Sequence, residues 1–261
     1  MISAEGTTRI SGFLEGEDSL ATLRAFRAKG GKVVLLTNAP RSRHEVAKQI
    51  ARMEVPDDCW DTIATSGDSA RLAMFQGVVG TRVYFIGQEH DLPFFEPIHI
   101  LENCPEITRA PLAEAEGIVC TGPTDPHEDP AAYRPDFLLA KQKGLKLLCA
   151  NPDIVVDRGE TREWCAGALA RLYTEMGGES LYFGKPHPPI YDLARMRLAA
   201  LGRDIPNAGI LAIGDGVLTD IAGAMGEDLD RTEGMGAAIQ WFVDPSTDRV
   251  LFDFWRSWVI A

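Results

Sequence analysis

The apolar residues of this chain alternate between two spacings, which predict strands followed by helices. Leu20, Leu23 and Phe26 recur at the spacing of one helix face, and the glycine pair that follows ends the pattern. Residues 33–36 form a short unbroken apolar run, as expected for a parallel strand covered on both faces. The same succession continues, with further strands predicted at 61–64, 83–86, 181–183, 210–213 and 237–240. Sustained alternation of this kind indicates an α/β fold with a parallel sheet between helices.

A change in composition interrupts this alternation. Residues 91–135 are rich in Pro, Glu and Asp, and their prolines leave one strand predicted there, at 118–120. We interpret residues 88–180 as a second domain that is inserted into the first. The core domain is then predicted to consist of residues 1–87 and 181–261.

Overall composition narrows the classes of partner. The chain has 261 residues, of which 45% are apolar, so it can bury one large core or two smaller ones. Its formal net charge of −12 argues against a nucleic-acid or anionic-membrane surface. No apolar stretch is long enough to cross a bilayer, and the first ten residues lack a secretory signal pattern. The five cysteines show no C-x-x-C spacing, which is typical of reduced thiols in a cytoplasmic protein.

Four polar segments each follow a predicted strand and precede a helical pattern. Because the carboxyl ends of parallel strands meet at one edge of a sheet, the segments are expected to gather hydroxyl, amide, ammonium and carboxylate groups there. Such groups suit a phosphate held beside a divalent metal. The segments are Leu-Thr-Asn-Ala-Pro at 36–40, Thr-Ser-Gly-Asp at 65–68, Gly-Lys-Pro at 184–186 and Gly-Asp-Gly-Val-Leu-Thr-Asp at 214–220.

Each candidate residue in these segments also has a structural alternative. Thr37 and Asn38 can donate to a phosphate oxygen, or can cap the next helix. Lys185 can neutralise a phosphate, or can be a solvated surface lysine. Asp215 and Asp220 share one tight loop, which suits Mg²⁺, a hard cation that takes a few carboxylate oxygens. The same loop also fits a turn followed by a helix cap.

Two neighbouring polar residues are given structural roles. His187 stands alone before two prolines, without the spacing of a metal site. Asp68 is a carboxylate, but the loop at 65–68 that contains it is predicted to be a helix cap.

Taken together, the segments resemble the motifs of the haloacid dehalogenase superfamily of phosphohydrolases, in the subfamily IIA branch of NagD-like and 4-nitrophenylphosphatase-like enzymes. The resemblance extends from about residue 16 onward: residues 36–38 resemble the second motif, 184–186 the third and 214–220 the fourth. The Ala-Asn-Pro-Asp segment at 150–153 resembles a segment of the large α/β cap in this branch. The resemblance implies a Rossmann-like, doubly wound core with an inserted α/β cap, Mg²⁺ dependence, and phosphomonoester hydrolysis through an aspartyl-phosphate.

The resemblance also implies roles in the core. Thr37 and Asn38 would hold the transferring phosphoryl group, and Lys185 would neutralise it. Asp215 would bind Mg²⁺. Asp220 would be either a second metal ligand or the carboxylate that orients Lys185.

The inserted cap would provide the rest of the site. Asn151 and Asp153 would contact the substrate as the cap closes over it. The substrate class is a small phosphorylated metabolite, and caps of this branch can also mediate a homodimer.

The chain departs from the family pattern at the first motif, where an aspartate nucleophile should end the first strand. Residues 1–7 read Met-Ile-Ser-Ala-Glu-Gly-Thr. Ser3 could occupy the nucleophile position and Glu5 the acid position of a degenerate motif, or the true first strand could lie upstream. Because serine lacks the ionised carboxylate, we expect an impaired phosphatase. The alternative is a non-catalytic protein that binds a phosphometabolite.

Overall fold

We describe the protein from a computed structural model, which covers residues 17–158, 161–202, 204–214, 216–229 and 258–260. The helices are α1 (Glu17–Ala28), α2 (Arg43–Arg52), α3 (Ser66–Phe75), α4 (Arg134–Gln142), α5 (Ala166–Glu175), α6 (Pro188–Ala200) and α7 (Ala222–Gly226). The strands are β1 (Val33–Thr37), β2 (Thr62–Thr65), β3 (Arg82–Ile86), β4 (Thr108–Arg109), β5 (Gly117–Cys120), β6 (Lys146–Cys149), β7 (Val155–Arg158), β8 (Thr161–Trp164), β9 (Glu179–Tyr182), β10 (Leu211–Ile213) and β11 (Trp258–Ile260). The strand predicted at 237–240 lies outside the described residues.

The chain forms two compact units. The first is built from the described parts of residues 1–37, 43–64 and 185–261, and the second from residues 38–42 and 65–184. Neither unit contains, in its described part, a helix with the length and apolar content that a bilayer crossing requires. The predicted α/β fold class is confirmed.

The first unit has a four-stranded sheet in the order β10-β11-β1-β2. The apolar run of β1 is buried along its whole length, which explains why it has no polar alternation. At the start of β1, the carboxylate of Asp61 accepts hydrogen bonds from the Val33 backbone N–H, at 2.9 Å, and from Arg27 and Lys32. This network ties the end of α1 to the sheet.

Strand β11 gives this sheet an arrangement that the strand–helix alternation does not predict. It pairs antiparallel with both β1 and β10. Leu35 and Ile213 both pair with Trp258, so β1 and β10 run in the same direction with Leu35 level with Ile213, and β1 continues for two more residues to Thr37. The carboxyl ends of these two strands therefore lie at one edge of the sheet, two strand spacings apart, which is about 10 Å.

The second unit has a five-stranded sheet in the order β4-β3-β5-β6-β9, in which every pair is parallel. Neighbouring residues of its central strands point to opposite faces. Ile118 and Leu147 join a cluster with residues of α4 and α5, whereas Val119 and Leu148 join a cluster with residues of α3. Both faces of the sheet are thus covered, as a parallel sheet requires.

Two strands that we predicted in the core domain belong to this second sheet. β3 pairs with β5, and β9 pairs with β6. Short apolar runs of parallel strands look alike, so hydrophobicity predicts a strand without saying which sheet it joins. The second unit also begins earlier in the chain than the insertion predicted at 88–180, and a core with a cap over it remains a prediction.

Candidate active site

Three predicted site residues, Thr37, Lys185 and Asp220, lie in the described part of the first unit. Thr37 is the last residue of β1 and is buried. Gly214 follows β10 at the same edge of the sheet, and the Lys185 side chain is 0% exposed. The predicted alternative of a solvated Lys185 is therefore wrong. Asp215, Ser3 and Glu5 were also predicted here, and they lie outside the described residues.

Lys185 is held by a buried carboxylate. Its Nζ donates to Asp220 Oδ1 at 2.6 Å. Asp220 Oδ2 accepts from the backbone N–H of Gly216 at 3.1 Å. Both oxygens of Asp220 therefore have partners, and this is the geometry of a carboxylate that orients the lysine. A buried ammonium needs such a partner, because an unpaired buried charge is strongly unfavourable.

The loop around Asp220 is tight enough to require glycine. A Cβ on Gly214 would come within 2.5 Å of the Asp220 Cβ, and one on Gly216 would overlap the Thr219 hydroxyl. Residues Val217–Ile221 then form a short π-helical turn that leads into α7. The glycines let the backbone fold back over Asp220, which aims its carboxylate at Lys185.

The helices that follow Lys185 and Asp220 pack closely together. The Tyr191 hydroxyl of α6 lies against Gly223 of α7, where a Cβ would overlap it. Arg195 Nη1 of α6 donates to Glu227 Oε2 at 2.6 Å, just after α7. These contacts hold together α6, which follows Lys185 in the chain, and α7, which follows Asp220.

Three other predicted site residues meet within the second unit. Asn38 is 1% exposed, and its Nδ2 donates to Asp153 Oδ1 at 2.9 Å. The backbone N–H of Asp153 donates to Asn151 Oδ1 at 3.0 Å, which closes a turn. Asn38, Asn151 and Asp153 were predicted as substrate-binding residues, and here their side chains bind one another or the backbone.

Sequence reasoning missed one residue of this group. The Ser66 hydroxyl is buried and has no hydrogen-bond partner among the described residues. A Cβ on Gly184 would lie 2.5 Å from Asn38 Oδ1 and 2.7 Å from Ser66 Oγ. Because the peptide bond from Gly184 leads directly to Lys185, this close packing fixes the backbone before the lysine. The sequence feature that could have indicated this packing is the glycine directly before Lys185, because only glycine fits this space.

The loop at 65–68 caps α3, as predicted, but the capping side chain is not that of Asp68. The residue that caps α3 is Thr65, whose Oγ1 accepts from the Asp68 backbone N–H at 2.9 Å. The Asp68 carboxylate instead pairs with Arg71 at 3.2 Å, and both side chains are buried. Arg71 also donates to the carbonyl oxygens of Phe94 and Glu96. Asp68 therefore anchors an arginine that joins α3 to the segment after β3.

His187 gives a pH dependence that can be tested. Burial lowers the pKa of its imidazole below the usual 6.5, so the unfolded chain binds more protons than the folded one below that pH. The stability that neutral His187 contributes is thus lost as the pH falls. We expect the drop in unfolding temperature between pH 7.5 and pH 5 to be smaller in His187→Asn than in the wild type. His44→Asn, at an exposed histidine of α2, is the control, and equal pH profiles for wild type and His187→Asn would contradict the prediction.

Comparison with known proteins identifies the family. The sequence matches the haloacid dehalogenase-like hydrolases over residues 16–100 and a second, HAD-hydrolase-like family over residues 182–230. A haloacid dehalogenase-like hydrolase from Brucella suis 1330 is 39% identical and superposes with a TM-score of 0.72. The match covers 81% of this chain and 75% of that one. This chain belongs to the haloacid dehalogenase-like hydrolases.

More distant members of the family share the fold. A possible sugar phosphatase from Cytophaga hutchinsonii is 18% identical with a TM-score of 0.63, over 88% of this chain and 83% of that one. A 4-nitrophenylphosphatase from Thermotoga maritima is 19% identical with a TM-score of 0.58, over 83% and 84%. The predicted resemblance to the haloacid dehalogenase superfamily is confirmed by the Brucella suis relative, and these two structures share its fold.

One similarity concerns a different enzyme. A stretch of 69 residues is 46% identical to a 3-phosphoshikimate 1-carboxyvinyltransferase from Granulibacter bethesdensis. It covers 26% of this chain and 14% of that enzyme. This similarity is local, whereas the similarity to the haloacid dehalogenase-like hydrolases extends over most of the chain.

Proposed function

We propose that this chain binds the phosphate group of a small phosphorylated metabolite together with Mg²⁺ and hydrolyses the phosphomonoester. The observation that carries the proposal is the Lys185–Asp220 pair, an ammonium held by a carboxylate in the unit whose strand β1 ends at Thr37. A buried and oriented ammonium is suited to neutralising the charge of a phosphoryl group. The fold relatives include a possible sugar phosphatase and a 4-nitrophenylphosphatase, and both names indicate phosphomonoester substrates.

In this proposal, Mg²⁺ would be bound in the first unit. Asp220 is engaged by Lys185 and by the Gly216 N–H, so we assign the ion to Asp215, with phosphate oxygens and waters completing its shell. Mg²⁺ would supply charge neutralisation at the phosphate. Thr37 would donate its hydroxyl to a phosphate oxygen, and Lys185 would contribute its positive charge from the other segment.

A second candidate function is binding without hydrolysis. Hydrolysis through an aspartyl-phosphate needs an aspartate on a strand before β1, and residues 1–32 contain one aspartate, Asp18. Asp18 lies in helix α1 rather than on a strand. The residues that would bind phosphate do not depend on that nucleophile, so phosphate affinity can persist where turnover is lost.

One experiment separates these functions. Hydrolysis of 4-nitrophenyl phosphate and binding of orthophosphate are measured with Mg²⁺ and after its removal by a chelator. For the phosphatase, we expect Mg²⁺-dependent turnover that falls at least about a hundredfold in Asp215→Asn. Asp192→Asn, at an exposed aspartate of α6, serves as the control.

Each outcome has a clear meaning. Mg²⁺-dependent orthophosphate binding without turnover would favour the binding protein. If orthophosphate binds neither with nor without Mg²⁺, or binds equally well to Asp215→Asn, both versions of the proposed function are wrong.

A further inference from the structure

Asn38 was predicted to contact a phosphate, but its side-chain amide donates to a carboxylate instead. It follows Thr37 directly in the chain, it is buried, and its amide is directed to the Asp153 carboxylate at 2.9 Å. An amide that donates to a carboxylate makes a charge-assisted hydrogen bond, which is among the stronger kinds. The residue after the phosphate-binding threonine is thus fixed by an acid 115 positions later.

Asp153 is itself held rigidly. Its backbone N–H donates to Asn151 Oδ1, and its carbonyl oxygen accepts from the Gly167 N–H of α5 at 3.1 Å. A Cβ on Gly167 would overlap the carbonyl oxygen of Pro152, so the first turn of α5 packs directly on this turn. The carboxylate therefore projects from a backbone fixed at both ends.

We propose that Asp153 is a positioning residue, whose carboxylate fixes the Asn38 amide and thereby the segment 38–42, which directly follows Thr37 in the chain. The inference rests on the proposed phosphate site. It differs from the role predicted from the sequence, in which Asp153 contacts the substrate. A positioning residue affects affinity for the phosphate group, whereas a contact to the rest of the substrate does not affect orthophosphate.

The two roles are separated by a pair of variants and by a ligand without a leaving group. Asp153→Asn keeps an oxygen that accepts from Asn38, whereas Asp153→Leu removes it. With Mg²⁺ present, we expect orthophosphate to bind Asp153→Leu about tenfold more weakly and Asp153→Asn within about twofold of the wild type. Wild-type affinity in Asp153→Leu would overturn the proposal, as would equal losses in both variants.

A second readout does not depend on any ligand. Hydrogen exchange of the backbone amides at 38–42 is expected to accelerate in Asp153→Leu and to stay at the wild-type rate in Asp153→Asn. The control is Asp157→Leu, which removes an exposed carboxylate that pairs with Arg162 at 2.8 Å and should change neither readout. If the wild type binds no orthophosphate, the proposed function fails, and exchange alone decides whether Asp153 positions this loop. Unchanged exchange in Asp153→Leu would overturn the positioning role.

Discussion

Replacing Lys185 with methionine is expected to abolish orthophosphate binding and to destabilise the first unit by about 3–5 kcal/mol. Lys185 is 0% exposed, and its ammonium lies 2.6 Å from Asp220. Methionine fills a similar volume without a charge, so the cavity cost is small and the main cost comes from Asp220. That buried carboxylate loses its cation and keeps the Gly216 N–H at 3.1 Å. Chemical denaturation and orthophosphate titration with Mg²⁺ measure the two effects.

A double variant separates stability from binding. In Lys185→Met with Asp220→Leu, no buried charge is left without its partner, so we expect most of the lost stability to return. Orthophosphate binding should stay absent, because the ammonium is still missing. Lys48→Met is the control, since Lys48 forms an exposed pair with Glu45. Full phosphate affinity in either Lys185 variant would contradict the role given to this lysine.

Strands and helices could be predicted from the sequence where burial determines residue type. Residues 33–36 are apolar because both faces of β1 are covered, and the structure begins and ends the strand within one residue of that run. Helix α5 was not predicted, although Ala166, Leu169 and Tyr173 carry the spacing of one buried face. This helical spacing follows a segment rich in Pro, Glu and Asp, whose composition is typical of irregular structure.

Pairing between distant segments could not be predicted in the same way. Sequence spacing says that β11 is apolar, but its antiparallel place between β1 and β10 depends on backbone hydrogen bonds with segments more than 40 residues away. Which residue of the 65–68 loop makes the cap could not be predicted, for a similar reason. Aspartate before a helical pattern commonly caps it, and only the fold shows that the neighbouring Thr65 does so.

The candidate site follows the same division. Its residue types could be predicted, because a phosphate needs hydroxyl, amide and ammonium donors after strands. Which acid serves which donor could be predicted only in part: the resemblance offered Asp220 for Lys185 as one of two alternatives, and nothing in the sequence offered Asp153 for Asn38. Lys185 is held by Asp220, 35 positions later, and Asn38 by Asp153, 115 positions later. In each unit, a side chain that we predicted to donate to the phosphate is held in place by a carboxylate. These carboxylates lie far away in the sequence, so short motifs do not predict the pairing.

The second large effect is expected at Arg71. Replacing it with methionine should destabilise the second unit by about 3–5 kcal/mol, because the buried Asp68 carboxylate loses its ion pair and the Phe94 and Glu96 carbonyl oxygens lose a donor. Adding Asp68→Leu removes the stranded charge and should restore much of that loss. Hydrogen exchange of α3 measures the change within the second unit. Arg162→Met, at an exposed pair, is the control.

The same double variant tests whether Asp68 has a chemical role beyond its ion pair with Arg71. If Asp68 serves only Arg71, Arg71→Met with Asp68→Leu should bind orthophosphate with wild-type affinity and keep whatever turnover the wild type has. A carboxylate that attacks phosphorus or binds Mg²⁺ could not be replaced by leucine without loss of turnover or of Mg²⁺-dependent binding. If the double variant regains its stability but loses turnover or Mg²⁺-dependent binding, Asp68 has a chemical role. A purely structural role would already be compensated, because Asp68→Leu removes the charge that Arg71→Met leaves unpaired.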